Sequence, residues 1–185
     1  MIRDLERLIM RIATGYSTPK DLAALATSLK TLPQLLNSSK SLSSPLFKKI
    51  LGSIPNTEHI YQTINTALVD DPPLKIGEGS LIRTGFSSEL DTLTLLKTES
   101  QSWIANYQEL LRKETGIKTL KIIFSKAFGF CIEVSRGQAS KMPSSFERRQ
   151  TLVNAERFST LKLKNHEEKI LNAEQHILEL EKQLY

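Results

Sequence analysis

Leu5, Leu8, Ile9 and Ile12 recur at steps of three and four, the spacing that gathers side chains on one face of a helix, and predict a helix over 2–14 that Gly15 ends. Ser17, Thr18 and Pro19 then read as an N-cap with proline in the first turn, opening an amphipathic helix over 21–32. Residues 33–36 start a third helix, 37–44 are serine-rich and read as a loop, and 46–51 and 57–68 are two further helical pieces. Asp70, Asp71, Pro72 and Pro73 break the pattern, because proline cannot continue a helix and disfavours helix in the residue before it. Residues 74–84, with Gly77 and Gly79, read as loop or short extended chain.

The longest helical pattern starts at a cap on Ser87 or Ser88 and runs to about Thr115, where Gly116 stops it. Leu93, Leu96, Trp103, Tyr107 and Leu110 fall on a heptad seam, with Ser100 its weak member. The period then changes. Residues 117–124 and Gly129–Ser135 are rich in Ile, Val and Phe and predict two strands joined by a turn over 125–129. Residues 136–145 hold Gly137 and Pro143 and read as a loop, and 146–158 supply one or two more strands of polar character. Helix returns from about 161 to 185, with Ile170, Ala173, Ile177, Leu180 and Leu184 on a second seam that still runs at Tyr185, as in a piece of a longer protein. The pattern is therefore mainly α with a small antiparallel β insert (α+β): a helical core and outgoing helix over 1–115, a β-rich insert over 116–160 and a returning helix over 161–185. Two antiparallel helices with the sheet at their far end is the simplest arrangement, and a helix of about 27 residues is roughly 40 Å long.

Charge sharpens this picture. The chain of 185 residues has a net charge of +5, but the segment 112–164 alone carries 12 Lys/Arg against 4 Asp/Glu, a net of +8, which leaves −3 for the rest. The basic character sits on the β insert and its approaches. Its polar strand reads FERRQTLVNAERF over 146–158, three arginines with a glutamine and an asparagine and little to bury. Either this is a solvated face, as charge runs usually are, or it holds an anionic partner.

Chemistry of other kinds finds no seat. There is no G-x-x-x-x-G-K-[ST] and no G-x-G-x-x-G stretch for phosphates. His59, His166 and His176 lack metal-ligand spacing, and the last two read as solvated positions. Cys131 lies in an apolar strand with no neighbouring His and reads as a packed thiol; as a lone cysteine it allows no internal disulfide and suits a reducing cytosol. Asp70 and Asp71 read as loop capping or solvation, and Trp103 and Tyr107 as packing residues rather than a base-stacking platform. No apolar run reaches the roughly 18 residues a membrane span requires.

Several stretches together, DLERLIMRIATGYSTPKDLAAL, LVDDPP, GFSSELD, RKETGIKTLKI, FGFCIEV, RRQTLVNAERF and LEKQLY, resemble in order and spacing the central part of the MutS family of bacterial DNA mismatch-repair proteins, over nearly the whole chain. The resemblance implies a helical core and lever, with 117–159 as the clamp that closes over the DNA backbone. Carried over by position, the backbone-binding residues are Ser125 and Lys126 on the first turn and Arg148, Arg149, Gln150 and Asn154 in the second region. Relatives often have Asn where Ser125 stands and Lys where Val153 stands, so this chain departs at both turns. Arg157 and Glu156 read as a pair across the sheet or at its base. The resemblance further implies a cytoplasmic, nucleoid-associated protein whose partners are double-stranded DNA, a second MutS subunit and MutL. ATP and Mg belong to an ATPase domain outside this stretch, which itself carries no catalytic residue, cofactor or metal. Phosphate and sugar contacts suit such a role, because they position a protein without reading sequence. A structural or protein-interaction arm of a MutS-like protein acting outside mismatch repair is the other function that fits.

Overall fold

The structure, a computed structural model, describes residues 2–39, 41 and 44–185. It is mainly helical with one small sheet, in the order α1 (Leu5–Ala13), α2 (Pro19–Ser39), α3 (Pro45–Ser53), α4 (Glu58–Ala67), α5 (Ser88–Thr115), β1 (Lys121–Ser125), β2 (Gly129–Ser135), a 3-10 helix (Arg136–Lys141), β3 (Glu147–Thr151), β4 (Ala155–Ser159) and α6 (Leu161–Leu184). The chain divides into two compact units, one of residues up to Ser88 with Leu178–Tyr185, the other Glu89–Ile177.

In the first unit, Leu8, Leu25 and Leu29 form the buried centre, with Leu5, Ile12, Leu32, Tyr61 and Ile64 packed around it. Asp4 caps α1 through Arg7 N–H, and α2 opens on a reciprocal box in which Thr18 N–H donates to Asp21 Oδ2 and Asp21 N–H to Thr18 Oγ1. The predicted break at 33 is absent: α2 runs through Pro33 to Ser39 as one helix. Pro33 lies on the exposed face, where water can take the carbonyl its ring leaves without a donor, while Leu25, Leu29, Leu32 and Leu36 continue the inward stripe. Of the loop predicted over 37–44, residues 37–39 are therefore helical, and Lys40, Leu42 and Ser43 lie outside the described residues. Asp70 and Asp71 are exposed and paired, with Arg83 at 2.8 Å and Lys20 at 3.3 Å. Buried Glu181 accepts Leu81 N–H at 2.9 Å, which explains a carboxylate at 3% exposure.

The second unit packs the sheet against helix. Its core joins Ile104, Tyr107 and Leu111 of α5, Ile132, Val134 and Phe158 of the sheet, Ala139 and Met142, and Leu163 and Ile170 of α6. The α5 seam keeps Leu93, Ser100 and Tyr107 as predicted, but its alternate members shift by one position, to Lys97, Ile104 and Leu111. Leu96 and Leu110 are half exposed, at 50% and 46%, whereas Ser100, Ile104, Tyr107 and Leu111 are buried. With half-buried Leu93 and Lys97 these keep the alternating three- and four-residue steps. Lys97 is half-buried and pairs with Glu174 at 3.0 Å, so a polar residue occupies the seam position beside apolar Leu96. On α6 the buried Ile170 and Ala173 and half-buried Ile177, Leu180 and Leu184 follow the predicted positions.

The strand predicted over 117–124 begins only at Lys121. Ile117 and Leu120 are wholly buried, but as anchors of a turn, with Leu120 N–H on Ile117 O and Arg112 Nε on Leu120 O. The sheet has the order β1-β2-β4-β3, antiparallel throughout. The predicted loop after β2 contains the 3-10 helix, which lends Ala139 and Met142 to the core.

Candidate nucleic-acid interface

β1 and β2 are joined by a tight turn in which Phe128 N–H donates to Ser125 O at 3.3 Å, followed by Gly129 at φ +70°. A turn followed by a left-handed residue re-enters the ladder with the twist that antiparallel strands need. Ser125 is half-buried at the strand end, and Lys126 is exposed and makes no ion pair among the described residues.

β3 and β4 are joined through Leu152, Val153 and Asn154. Val153 is 83% exposed and Asn154 is exposed. The register sets this turn apart from the first. Ser135, the last residue of β2, lies opposite Ala155, whereas Gly129, the first, lies opposite Ser125. The two turns therefore lie at opposite ends of β2, about 20 Å apart at some 3.3 Å per residue. The predicted residues form a row along the sheet, not one cluster.

Between the turns lies β3, an edge strand. Arg148 stands opposite Phe158 and Gln150 opposite Arg157, so Arg149 is the extra residue of a β-bulge. Each of the three has an intramolecular partner. Arg148 Nε approaches Glu156 Oε2 at 3.0 Å and its guanidinium lies 5.8 Å from the centre of the Phe158 ring. That approach is an ion pair rather than an aligned hydrogen bond, so Glu156 Oε2, buried, has no hydrogen-bond donor among the described residues. Arg149 pairs with Glu147 at 3.0 Å, and Lys164 reaches the same carboxylate oxygen at 3.0 Å. The Lys164 hydrogen bond and the nearby Arg149 charge hold the Glu147 carboxyl below its ordinary pKa. Gln150 Oε1 accepts from Arg157, whose Nε donates to Glu133 across the β2–β4 pair at 2.9 Å. Arg157 and Glu156 thus each find a partner across the sheet, though not one another.

The pair of Arg149 with Glu147 lies toward the surface, and such pairs are worth little, about 0–1 kcal/mol, so a phosphate can compete for that cation. Arg148 is 58% exposed and spends one guanidinium nitrogen on Glu156, which aims the rest of the group. Sequence reasoning missed Arg136, absorbed into a predicted loop. Arg136 is exposed, and its backbone N–H donates to Asn154 O at 3.1 Å, which sets a cation beside the second turn, where Val153 supplies none. Only the β2–β4 pairing brings those two positions together. Charges on both edges also protect the sheet from strand addition, the plain structural use of such residues.

The remaining candidates are structural. Cys131 is wholly buried, and that burial, the first cause, raises its thiol pKa. His59 and His176 are exposed. His166, predicted to be solvated, instead stacks on Trp103 with centroids 3.6 Å apart and planes within 8°, and Trp103 stacks in turn on Tyr107 at 4.6 Å. The aromatic group is thus internal packing. Desolvation, then the Lys169 charge, lowers the His166 pKa, and Nδ1 is buried without a hydrogen-bond partner among the described residues. The unfolded chain therefore binds a proton that the folded one resists, so the contribution of His166 to stability falls as pH drops below about 6.5. Urea midpoints between pH 7.5 and 5.5, followed by Trp103 fluorescence, should fall more for the parent than for His166→Gln. Equal falls would refute the assignment.

Among the described residues no group of three or more His, Cys, Asp or Glu could hold a metal ion, and no helix is long and apolar enough to cross a membrane. The sequence offers no G-x-x-x-x-G-K-[ST] phosphate loop.

The model of MutS family domain IV matches residues 85–176, nearly the range of the second compact unit. The DNA mismatch repair protein MutS of Protochlamydia amoebophila is 45% identical over 184 residues, 100% of this chain and 21% of the relative. The MutS proteins of Persephonella marina and Aquifex pyrophilus are 44% and 42% identical over 184 and 182 residues, covering 100% and 98% of this chain and 21% of each relative. The chain thus spans about a fifth of the length of the curated relatives it matches.

Proposed function

The chain belongs to the MutS family, and from that premise we propose that its sheet grips the sugar–phosphate backbone of duplex DNA without reading sequence, as the clamp of a mismatch-repair protein. The observation that carries the reading is the row of polar groups along the sheet, exposed at Lys126, Arg148, Asn154 and Arg136 and half-buried at Ser125, Arg149 and Gln150: Ser125 and Lys126 at one end, Arg148, Arg149 and Gln150 along the edge strand, Asn154 and Arg136 at the other. The two turns, about 20 Å apart, are far enough from one another to meet separate phosphates of one duplex. Side chains that reach phosphates and sugars fix position and carry no base information, which is what a protein that must scan any sequence requires. Closure around the duplex with a second MutS subunit, handover to MutL, use of ATP with Mg, and work on the nucleoid in the cytoplasm are proposed for the longer protein.

A competition assay tests the reading. Labelled duplex held by the full chain should be displaced equally by unrelated duplexes of the same length, with dissociation constants in the non-specific range, about 10⁻⁴–10⁻⁶ M at physiological salt. A preference of tenfold or more for one sequence would overturn a grip confined to the backbone.

A further inference from the structure

Phe128 stands two residues beyond Lys126 on the first turn, 44% exposed. Its backbone is held on both sides: its N–H is on Ser125 O, and its carbonyl accepts the Cys131 thiol at 3.9 Å. Gly129, in the left-handed conformation, follows directly. A half-exposed ring on a backbone fixed in this way loses little freedom when it meets a partner. The other turn offers a second exposed apolar group, Val153, beside Asn154. Each end of the sheet thus carries an apolar side chain next to a polar one. A nucleic-acid backbone has the same alternation, since the C–H faces of the sugars lie between charged phosphates.

Resting on the DNA reading above, we infer that Phe128 packs against deoxyribose while Lys126 meets the neighbouring phosphate, which gives this chain's grip an apolar component that salt does not screen. Charge complementarity selects the occupant, because the segment 112–164 carries a net +8, and a duplex edge is anionic where Lys126 reaches it and apolar between. Val153 makes the corresponding contact at the far turn.

The two components separate in a salt series. Phosphate contacts set the slope of log K against log salt, whereas an apolar contact shifts the line without tilting it. Removal of about 50 Å² of ring from water corresponds to roughly an eightfold gain in affinity. Phe128→Ala in the full chain should therefore weaken binding to a duplex of 20 base pairs about eightfold at every salt concentration with the slope unchanged, and Phe128→Leu should recover most of the loss. Circular dichroism of the variants shows whether the fold survives, and Phe128→Ser carries the test if Phe128→Ala unfolds. Three results would overturn the contact: affinity within about twofold of the parent for Phe128→Ala, or for Phe128→Ser if the alanine variant unfolds; a loss confined to low salt; or self-association of the parent through Phe128 with DNA affinity indifferent to it. Failure of the parent to bind any duplex would instead sink the DNA reading itself, so the two failures are distinct.

Discussion

Gly129→Ala is expected to lower the stability of the chain by about 3 kcal/mol, the sum of two separate costs. The first is conformational. Gly129 has φ +70°, where an L side chain brings its Cβ against its own backbone at roughly 1–2 kcal/mol. The second is a collision: a Cβ at this position would land on the carboxylate of Glu167, which accepts the backbone N–H of Phe130. Glu167 must swing away and leave that N–H without its acceptor, at a further cost of about 1–3 kcal/mol. Urea denaturation followed by circular dichroism measures the total. Glu167→Ala introduced together with Gly129→Ala removes the collision, so the two changes should be non-additive, with the double variant close to Glu167→Ala plus the conformational part alone. Gly137→Ala is the control, because open space surrounds that position and its φ is ordinary; it should cost less than about 0.5 kcal/mol. A Gly129→Ala variant as stable as the parent would remove the tight turn from the account.

The second large effect falls on DNA. Lys126→Ala combined with Arg136→Ala should weaken duplex binding about thirtyfold at 0.15 M salt, since each lost phosphate contact at a slope of about 0.9 is worth close to fivefold there. The two residues occupy opposite ends of β2 and share no partner, so their effects should multiply. Lys48→Ala with Lys49→Ala removes the same charge from exposed positions on α3. That pair should change affinity less than about twofold if the sheet, rather than overall charge, holds the duplex. Equal losses in the two double variants would reduce the grip to net charge.

How much of this was legible in the sequence varies with how local its cause is. The change of period at Gly116, the capping of α2 by Thr18 and Asp21, and the glycine closing the first turn all act within a few residues, and the strands and long helices follow from them. On α5 the alternate seam members were misplaced by one position, because polar Lys97 occupies the seam beside apolar, exposed Leu96. Residue identity alone cannot show which of two neighbouring positions another element covers. Pro33 was read as a break because its exposure, which lets the helix continue, is a tertiary fact. The family resemblance picked out residues on both turns and along β3, but only the strand order places the turns at opposite ends of the sheet, about 20 Å apart. The same order brings Arg136 beside Asn154, and the bulge at Arg149 has no glycine or proline to announce it. His166 was read as solvated because its partner, Trp103, lies far along the chain on another helix.

The grip of the sheet on the backbone is tested most directly by the salt dependence of duplex binding, measured by fluorescence anisotropy on the full chain and on Lys126→Ala. With Lys126, Arg136, Arg148 and Arg149 on phosphates, log K should fall with log salt at a slope of about −3.6, and Lys126→Ala should reduce it to about −2.7. A slope near zero for the parent, or one that Lys126→Ala leaves unchanged, would contradict the account.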